Sequence, residues 1–551
     1  MYLYGMNEEI EEYYEELYRL YIDENQPLER RYRQLRESLE RVVREKIQGN
    51  SLQTTDLAAR INYVATQYGL DLKEQNQLHT FRLTSNDILN HRKSPVKEEF
   101  LRDLRAVAYA YRKMFAQDIP LKLFSVLPKQ EIASSGKKEK MEYIRRIRVC
   151  FDYADDTYLY VHPVDVIADE PIRVVYNKPG INHEFEETIK ELWRYAQLNL
   201  LDVSVDRDGI YTPSFIVLEP DYLIDISSLA ECYKDYGSHP ANYFLSRLVP
   251  IDNARPLLLG NIANLFLDEW IHAGEEEPDY IDCMKKAFRQ YPIELAACAE
   301  LRDPSKEKEF AKDCRMHFEH IRDVVQHTFL EPGYNLDKKE AVLEPSYICE
   351  ALGIQGRLDY MQRDMSSFIE MKSGKADEFS MQGKVEPKEN NKVQMLLYMA
   401  VLEYSMGQDR RRMHPYLLYT RYPLLYPARA SWAQVRRVIN LRNRIVAAEY
   451  GVQFHNHPDF TRNLLAQINP EVVNERKLSG RFWEQYLKPS ISRFREKLSA
   501  LEPLEQAYFY MLYNFITKEL YTSKSGDVDY EGRAGASALW LGTTDEIMIC
   551  R

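Results

Sequence analysis

"GIQGRLDYMQRDMSSFIEMKSGKA" runs from Gly353 to Ala376. Two apolar runs in it read as strands: "GRLDYM" (Gly356–Met361), built around Asp359, and "SFIEMKS" (Ser367–Ser373), with β-prone Phe368 and Ile369. The polar "QRDMS" between them reads as the turn of a hairpin. Strand side chains alternate with period two, so Glu370 and Lys372 share a face. A hairpin brings facing residues within about 5 Å. A register that puts Asp359 on that face gathers two carboxylates and one ammonium at one point. Inside an apolar hairpin this is unfavourable unless a cation or a phosphate group completes it.

Outward from this hairpin, the 551 residues suffice for roughly three or four domains of about 150 residues each. The chain is 45% hydrophobic and 29% charged, an ordinary globular composition in which each domain can bury a core. Its net charge of −12 excludes a general basic coat for nucleic acid, so any such contact must come from local patches. Arg410, Arg411 and Arg412 form one candidate patch, with a solvated turn as the plain alternative. Seven cysteines occur without zinc spacing or a disulfide framework. The acidic start "MYLYGMNEEIEEYYEELY" lacks a signal pattern, and no run approaches a membrane span. A cytoplasmic protein with reduced thiols and no membrane contact is expected.

Residues 1–118 read as helical, with Leu35, Leu39, Val42 and Val43 on one side of "LERRYRQLRESLERVVREKIQ". The Arg30, Arg31, Arg33 and Arg36 side is expected to be a solvated face. Residues 119–218 read as a β-rich accessory region interrupted by one helix, "FEETIKELWRYAQL". Residues 219–430 alternate helix and strand, an α/β core. Residues 431–525 read as a helical linker or stalk, and 526–551 as the start of a further β domain.

The Asp…Glu-x-Lys arrangement has a chemical logic. Phosphodiester hydrolysis uses a divalent ion that polarises the phosphoryl oxygen and acidifies water. Hard Mg²⁺ or Mn²⁺ takes carboxylate oxygens and often a backbone carbonyl. Asp359 and Glu370 would supply carboxylates, Met371 its carbonyl, and Lys372 would hold water or stabilise phosphate charge. Asp and Glu-x-Lys also recur as surface ion pairs. In "NNKVQMLLYMAVLEY", Gln394 and Tyr398 share one helix face, suited to contacting a DNA strand or orienting the lysine. Gly356 leaves room beside the site.

"GRLD…FIEMKSGK…QMLLY" resembles the RecB-like branch of the PD-(D/E)XK nucleases, whose signature is G-x-x-D, then D/E-x-K, then Q-x-x-x-Y. Together with "VLEPDYLIDISSLAECYKDY", "LLLGNIANLFLDEW", "HPYLLYTRYPLL" and "YFYMLYNFITKELYTSKSG", it is similar to the nuclease half of the helicase–nucleases that trim Okazaki flaps. The similarity covers roughly residues 213–525. It implies a restriction-endonuclease-like α/β core, a central mixed sheet flanked by helices. It further implies catalytic Asp359, Glu370 and Lys372, a Mg²⁺ or Mn²⁺ ion on Asp359, Glu370, Met371 and Asn264, and DNA contacts from Gln394, Tyr398, Arg357 and Lys375. Single-stranded or flap DNA would be the substrate, with a helicase in the same longer chain or on a separate one.

Two departures qualify this. The family usually carries histidine in a helical G-x-x-x-H, whereas Gly260 here is followed by Asn264, a weaker neutral ligand. Glu269 or His272 could compensate, with a solvated helix end as the plain alternative for both. The family's [4Fe–4S] cluster uses four cysteines, of which only Cys232 has a counterpart, so no cluster is expected. No Walker-type G-x-x-x-x-G-K-[ST] occurs, so these residues are no helicase alone. Two rival readings remain: a weakened nuclease serving as a DNA-binding scaffold, and a duplex-cutting defence endonuclease.

Overall fold

The computed structural model describes residues 2–47, 56–128, 143–165, 168, 170–249, 255–334, 336–379, 384–428, 431–455 and 457–526. The segment 527–551, expected to start a further β domain, lies outside them. Chain contacts divide the protein into two compact units: Met1–Tyr222 with Val446–Thr461 and Ala507–Arg551, and Leu223–Ile445 with Arg462–Gln506. It is an α/β protein with mixed sheets and many helices.

In the first unit, helices Tyr2–Ile22, Leu28–Ile47, Leu57–Tyr68, Leu72–Leu89 and Lys97–Phe115 surround one apolar core. Leu35, Leu39, Val42 and Val43 all enter it, as their helical spacing requires. The arginine face differs from the expectation: Arg31 and Arg36 are buried. Arg31 donates to the carbonyls of Leu20 (2.7 Å) and Tyr21 (3.2 Å), in the last turn of the preceding helix. It thereby satisfies helix-end acceptors that have no partner within their own helix.

Six strands follow: β1 (Tyr143–Ala154), β2 (Tyr158–Pro163), β3 (Ile172–Val175), β4 (Gln197–Val205), β5 (Ile210–Thr212) and β6 (Phe215–Leu218). β1 pairs with β2 through its second half and with β4 through its first. Since β2 pairs with β3, β3 with β5, and β5 with β4, the sheet closes into a barrel. The expected helix over "FEETIKELWRYAQL" forms only as Glu186–Lys190, because Gln197 onward is drawn into strand pairing with β1.

The barrel also buries a carboxylate. Glu219 accepts from the Gln197 amide (2.9 Å) and the Tyr450 hydroxyl (3.2 Å). Burial, reinforced by Asp221, pushes its pKa up to about 8. The folded value exceeds the unfolded one of about 4.3. The stability tied to this proton is therefore complete below that value and is lost as pH rises through about 8. The thermal midpoint should fall between mildly acid and alkaline pH, and Glu219→Gln should flatten that decline. A parallel pH profile for wild type and variant would contradict it.

Among the described residues, the second unit has ten strands: β7 (Ile224–Asp225), β8 (Ala341–Leu343), β9 (Ser346–Cys349), β10 (Ile354–Arg357), β11 (Tyr360–Gln362), β12 (Ser367–Lys372), β13 (Asp377–Phe379), β14 (Lys384–Glu386), β15 (His414–Tyr419) and β16 (Leu424–Pro427). A five-stranded sheet has the order β16-β15-β12-β11-β8, and a three-stranded sheet the order β7-β10-β9. β12 and β15 are parallel and are joined through the helix Glu389–Met406, since parallel neighbours need a crossover. Ile369 and Met371 point to the core shared with helices Arg255–His272 and Pro304–Gln326. By alternation, Glu370 and Lys372 point the other way, toward the crossover helix.

Candidate active site

The run expected as one strand, Gly356–Met361, is two. β10 belongs to the three-stranded sheet and β11 to the five-stranded one, and the chain changes sheets at Leu358 and Asp359. The crossing is fixed from the β8–β9 turn: Leu358 donates to the Pro345 carbonyl, and Glu344 donates to the Asp359 carbonyl, both at 3.1 Å. Asp359 therefore stands where the two sheets part. Its carboxylate reaches β12 and accepts the Met371 amide at 2.6 Å. A strand residue projects its N–H and C=O to the same side. The Met371 carbonyl thus faces the gap that Asp359 occupies, while the Met371 side chain is buried in the core.

Glu370 is 3% exposed. Its Oε1 accepts from Lys372 Nζ (2.8 Å) and Gln394 Nε2 (2.6 Å), while Lys372 also donates to Gln394 Oε1 (2.8 Å). Glu370 Oε2 is buried with no hydrogen-bond partner. An oxygen so placed has hydrogen-bonding capacity that the described residues leave unfilled. When both are ionised, the Asp359 and Glu370 carboxylates outnumber the Lys372 ammonium between them.

The electrostatics agree with that imbalance. Burial, then the Asp359 charge, pushes Glu370 up to about 8 against the pull of Lys372. Burial also raises Asp359, despite the Met371 amide and Lys372. Burial alone would depress Lys372, but Glu370 and Asp359 overcome it and hold the ammonium above its ordinary value. Each carboxylate is thus disfavoured as an anion until more positive charge arrives.

Gln394 and Tyr398 lie inside the structure, Gln394 only 6% exposed, with their polar ends engaged. Gln394 ties Lys372 to Glu370. The Tyr398 hydroxyl donates to the Arg357 carbonyl at 2.5 Å, anchoring the strand just before Asp359. A Cβ on Gly356 would sit 3.1 Å from the Tyr398 ring and 3.0 Å from Ile226, so glycine there admits both. Arg357 is exposed and pairs with Glu344 at 3.1 Å, and Lys375 is exposed. In the Arg410–Arg412 run, Arg410 pairs with Glu403 and covers the Trp432 ring, and Arg411 pairs with Asp409. Those two pairs draw the patch into local structure.

Gly260, Asn264 and Asp268 recur every four residues along the helix Arg255–His272 and form one stripe. Near its start, a Cβ on Gly260 would lie 3.3 Å from Ser373 Oγ, one residue beyond Lys372. Near its end, burial together with the charges of Glu344 and Asp359 pushes Asp268 up to about 6. The half-buried Asn264 lies between them on this stripe. Of the two candidate compensators, Glu269 pairs with Lys286, and exposed His272 bonds the Asp268 carbonyl at 2.9 Å. Asp268 and Glu344 are the acids that reading the sequence missed. Eight-residue spacing from Gly260 marked Asp268, whereas nothing local marked Glu344.

Among the described residues, no group of three or more His, Cys, Asp or Glu side chains could hold a metal ion. The donor set that the geometry offers is a mixed one, two carboxylates and a backbone carbonyl. Cys232 is buried and donates its thiol to the Ser228 carbonyl at 3.3 Å, a packing role. No family model matches this chain, and no curated protein sequence matches it. Among the described residues, no helix is long and apolar enough to cross a membrane.

Proposed function

We propose that the second unit is a metal-dependent deoxyribonuclease core of the RecB-like PD-(D/E)XK kind, acting on single-stranded or flap DNA. The observation that supports this best is the partnerless Glu370 Oε2, buried beside Asp359 and Lys372. A Mg²⁺ or Mn²⁺ ion held by Asp359, Glu370 and the Met371 carbonyl would polarise a phosphoryl oxygen and acidify water. Lys372 lies 2.8 Å from Glu370, positioned to orient that water or to meet charge on the phosphate. Gln394 fixes the Lys372 ammonium, and Tyr398 fixes the backbone that leads to Asp359. Lys375, exposed, and Arg357, exposed but paired with Glu344, are cations assigned to a DNA strand in this reading. A helicase, on the same longer chain or another, is the partner this reading implies.

Digestion of labelled single-stranded and duplex DNA with Mg²⁺ or Mn²⁺ tests the reading. Preferential loss of the single strand supports it. Preferential duplex cutting contradicts it and favours a defence endonuclease; no cutting with either ion favours the scaffold reading.

Asn264 gives a finer test. If its amide occupies the ligand position, Asn264→His should lower the Mg²⁺ concentration for half-maximal cleavage about tenfold, since changes beside a metal shift affinity 10–100-fold. An unchanged metal requirement would remove Asn264 from the ion's surroundings.

A further inference from the structure

The first unit contains an aromatic surface that the reading above does not use. It lies on the barrel β1–β6. The register of β5 and β6 against β4 runs on across Pro213, from Val205↔Tyr211 to Leu198↔Leu218, so the two act as one strand. The ring order is then β1-β2-β3-β5/β6-β4 and back to β1, with β3 and β5 parallel. The short helix Glu186–Lys190 lies between β3 and β4, and Phe185 before it is buried against Phe215. Five strands closed in this order, with a helix before the fourth, have the connectivity of the OB barrel. That barrel binds oligonucleotides or oligosaccharides on the face of its second and third strands.

On that face Leu159, Val161 and Val174 fill the barrel, and alternation turns Tyr158, Tyr160 and Arg173 outward. The register sets Tyr160 between Tyr153 on β1 and Arg173 on β3. A register shift between Phe151 and Tyr153 re-aims Tyr153. The Tyr153 and Tyr160 rings stack with centroids 4.3 Å apart and planes at 12°. Tyr153 remains 51% exposed. The Arg173 guanidinium lies 5.8 Å from the Tyr158 ring centre. Asp155 accepts from the Thr157 and Tyr158 amides and the Tyr160 hydroxyl, Asp152 pairs with Arg194, and Arg173 donates to the Asp208 carbonyl at 3.3 Å.

We propose that this face is a binding site for single-stranded nucleic acid. A base stacks on the Tyr153–Tyr160 platform, and Arg173 meets the adjoining phosphate. Stacking suits an acidic protein because each base offers an uncharged ring face, which duplex DNA hides. The acidic β1–β2 turn, Asp155–Thr157, directs the strand across β1–β3 rather than along that loop. The proposal stands on the barrel's own residues and does not require the second unit to be a nuclease.

The test measures fluorescence anisotropy of labelled oligothymidylate and oligouridylate with the full chain, in chelator so that no cleavage intervenes. Photo-crosslinking with iodinated pyrimidines reports where the strand lies. Tyr153→Ala should weaken binding about tenfold, and Tyr153→Trp should preserve it. Arg173→Ala should lower the salt slope by roughly one phosphate. Crosslinks should map to β1 and β2. Tighter oligothymidylate binding assigns DNA, and tighter oligouridylate binding assigns RNA. Unchanged affinity in Tyr153→Ala, crosslinks confined to other segments, or equal affinity for duplex would overturn the proposal. Absence of Mg²⁺-dependent cleavage in a separate assay of the wild type, with barrel binding intact, would count against the nuclease reading alone.

Discussion

Glu370→Gln is expected to stop Mg²⁺-dependent cleavage of single-stranded DNA while the protein remains folded. The substitution keeps the shape of the side chain and removes the charge that an ion needs. Losing one carboxylate ligand forfeits several kcal/mol of transition-state stabilisation, a rate loss of about a thousandfold or more. The fold should tolerate it, because the buried Glu370 carboxyl already sits at about 8. As an anion it is a burden on the apo protein, so its removal offsets part of what Lys372 loses. The thermal midpoint should stay within a few degrees of wild type near neutral pH. Cleavage at the wild-type rate would refute the assignment of Glu370. Loss of both activity and fold would point to a structural ion pair instead.

The second large effect concerns stability. Gly353→Ala should destabilise the second unit by roughly 3 kcal/mol. Gly353 has φ +65°, where a Cβ costs about 1–2 kcal/mol. Its added Cβ would also lie 2.4 Å from Arg442 Nη2 and 2.6 Å from Arg442 Cζ. Arg442 is fully buried and donates to the Gly353 carbonyl at 3.2 Å, so it has little room to retreat. Overpacking of this kind adds about 1–3 kcal/mol. Because Gly353 immediately precedes β10, which leads to Asp359, activity should decline alongside stability. Denaturant unfolding monitored on the full chain checks this. A midpoint equal to wild type would mean that the Arg442 contact yields freely.

Much of the site is legible in the sequence because its residues lie in one hairpin and one helix. Period two puts Glu370 and Lys372 together, and the Gln394–Tyr398 spacing fits a helix face that covers them. Asp359 is harder to place, since its sequence reads as a single strand where the chain crosses between sheets. Its alignment with Met371 comes from a side chain replacing a missing strand partner, which no alternation pattern encodes. Glu344 is brought in by tertiary pairing with Arg357, and Arg31 is buried by acceptors on another helix. The barrel illustrates the same limit. Its strands are locally β-prone, but closure depends on β1 meeting β4 about fifty residues away, and only that pairing reveals the outward tyrosine face.

The central claim is that Asp359 and Glu370 share a divalent ion that enables phosphodiester cleavage. A time course of labelled single-stranded DNA with Mg²⁺, Mn²⁺ or chelator, run for wild type and for Glu370→Gln, tests it most directly. The account predicts cleavage by wild type with either ion, none in chelator, and none by Glu370→Gln under any condition. Cleavage that survives chelation, or that persists in Glu370→Gln, would contradict it.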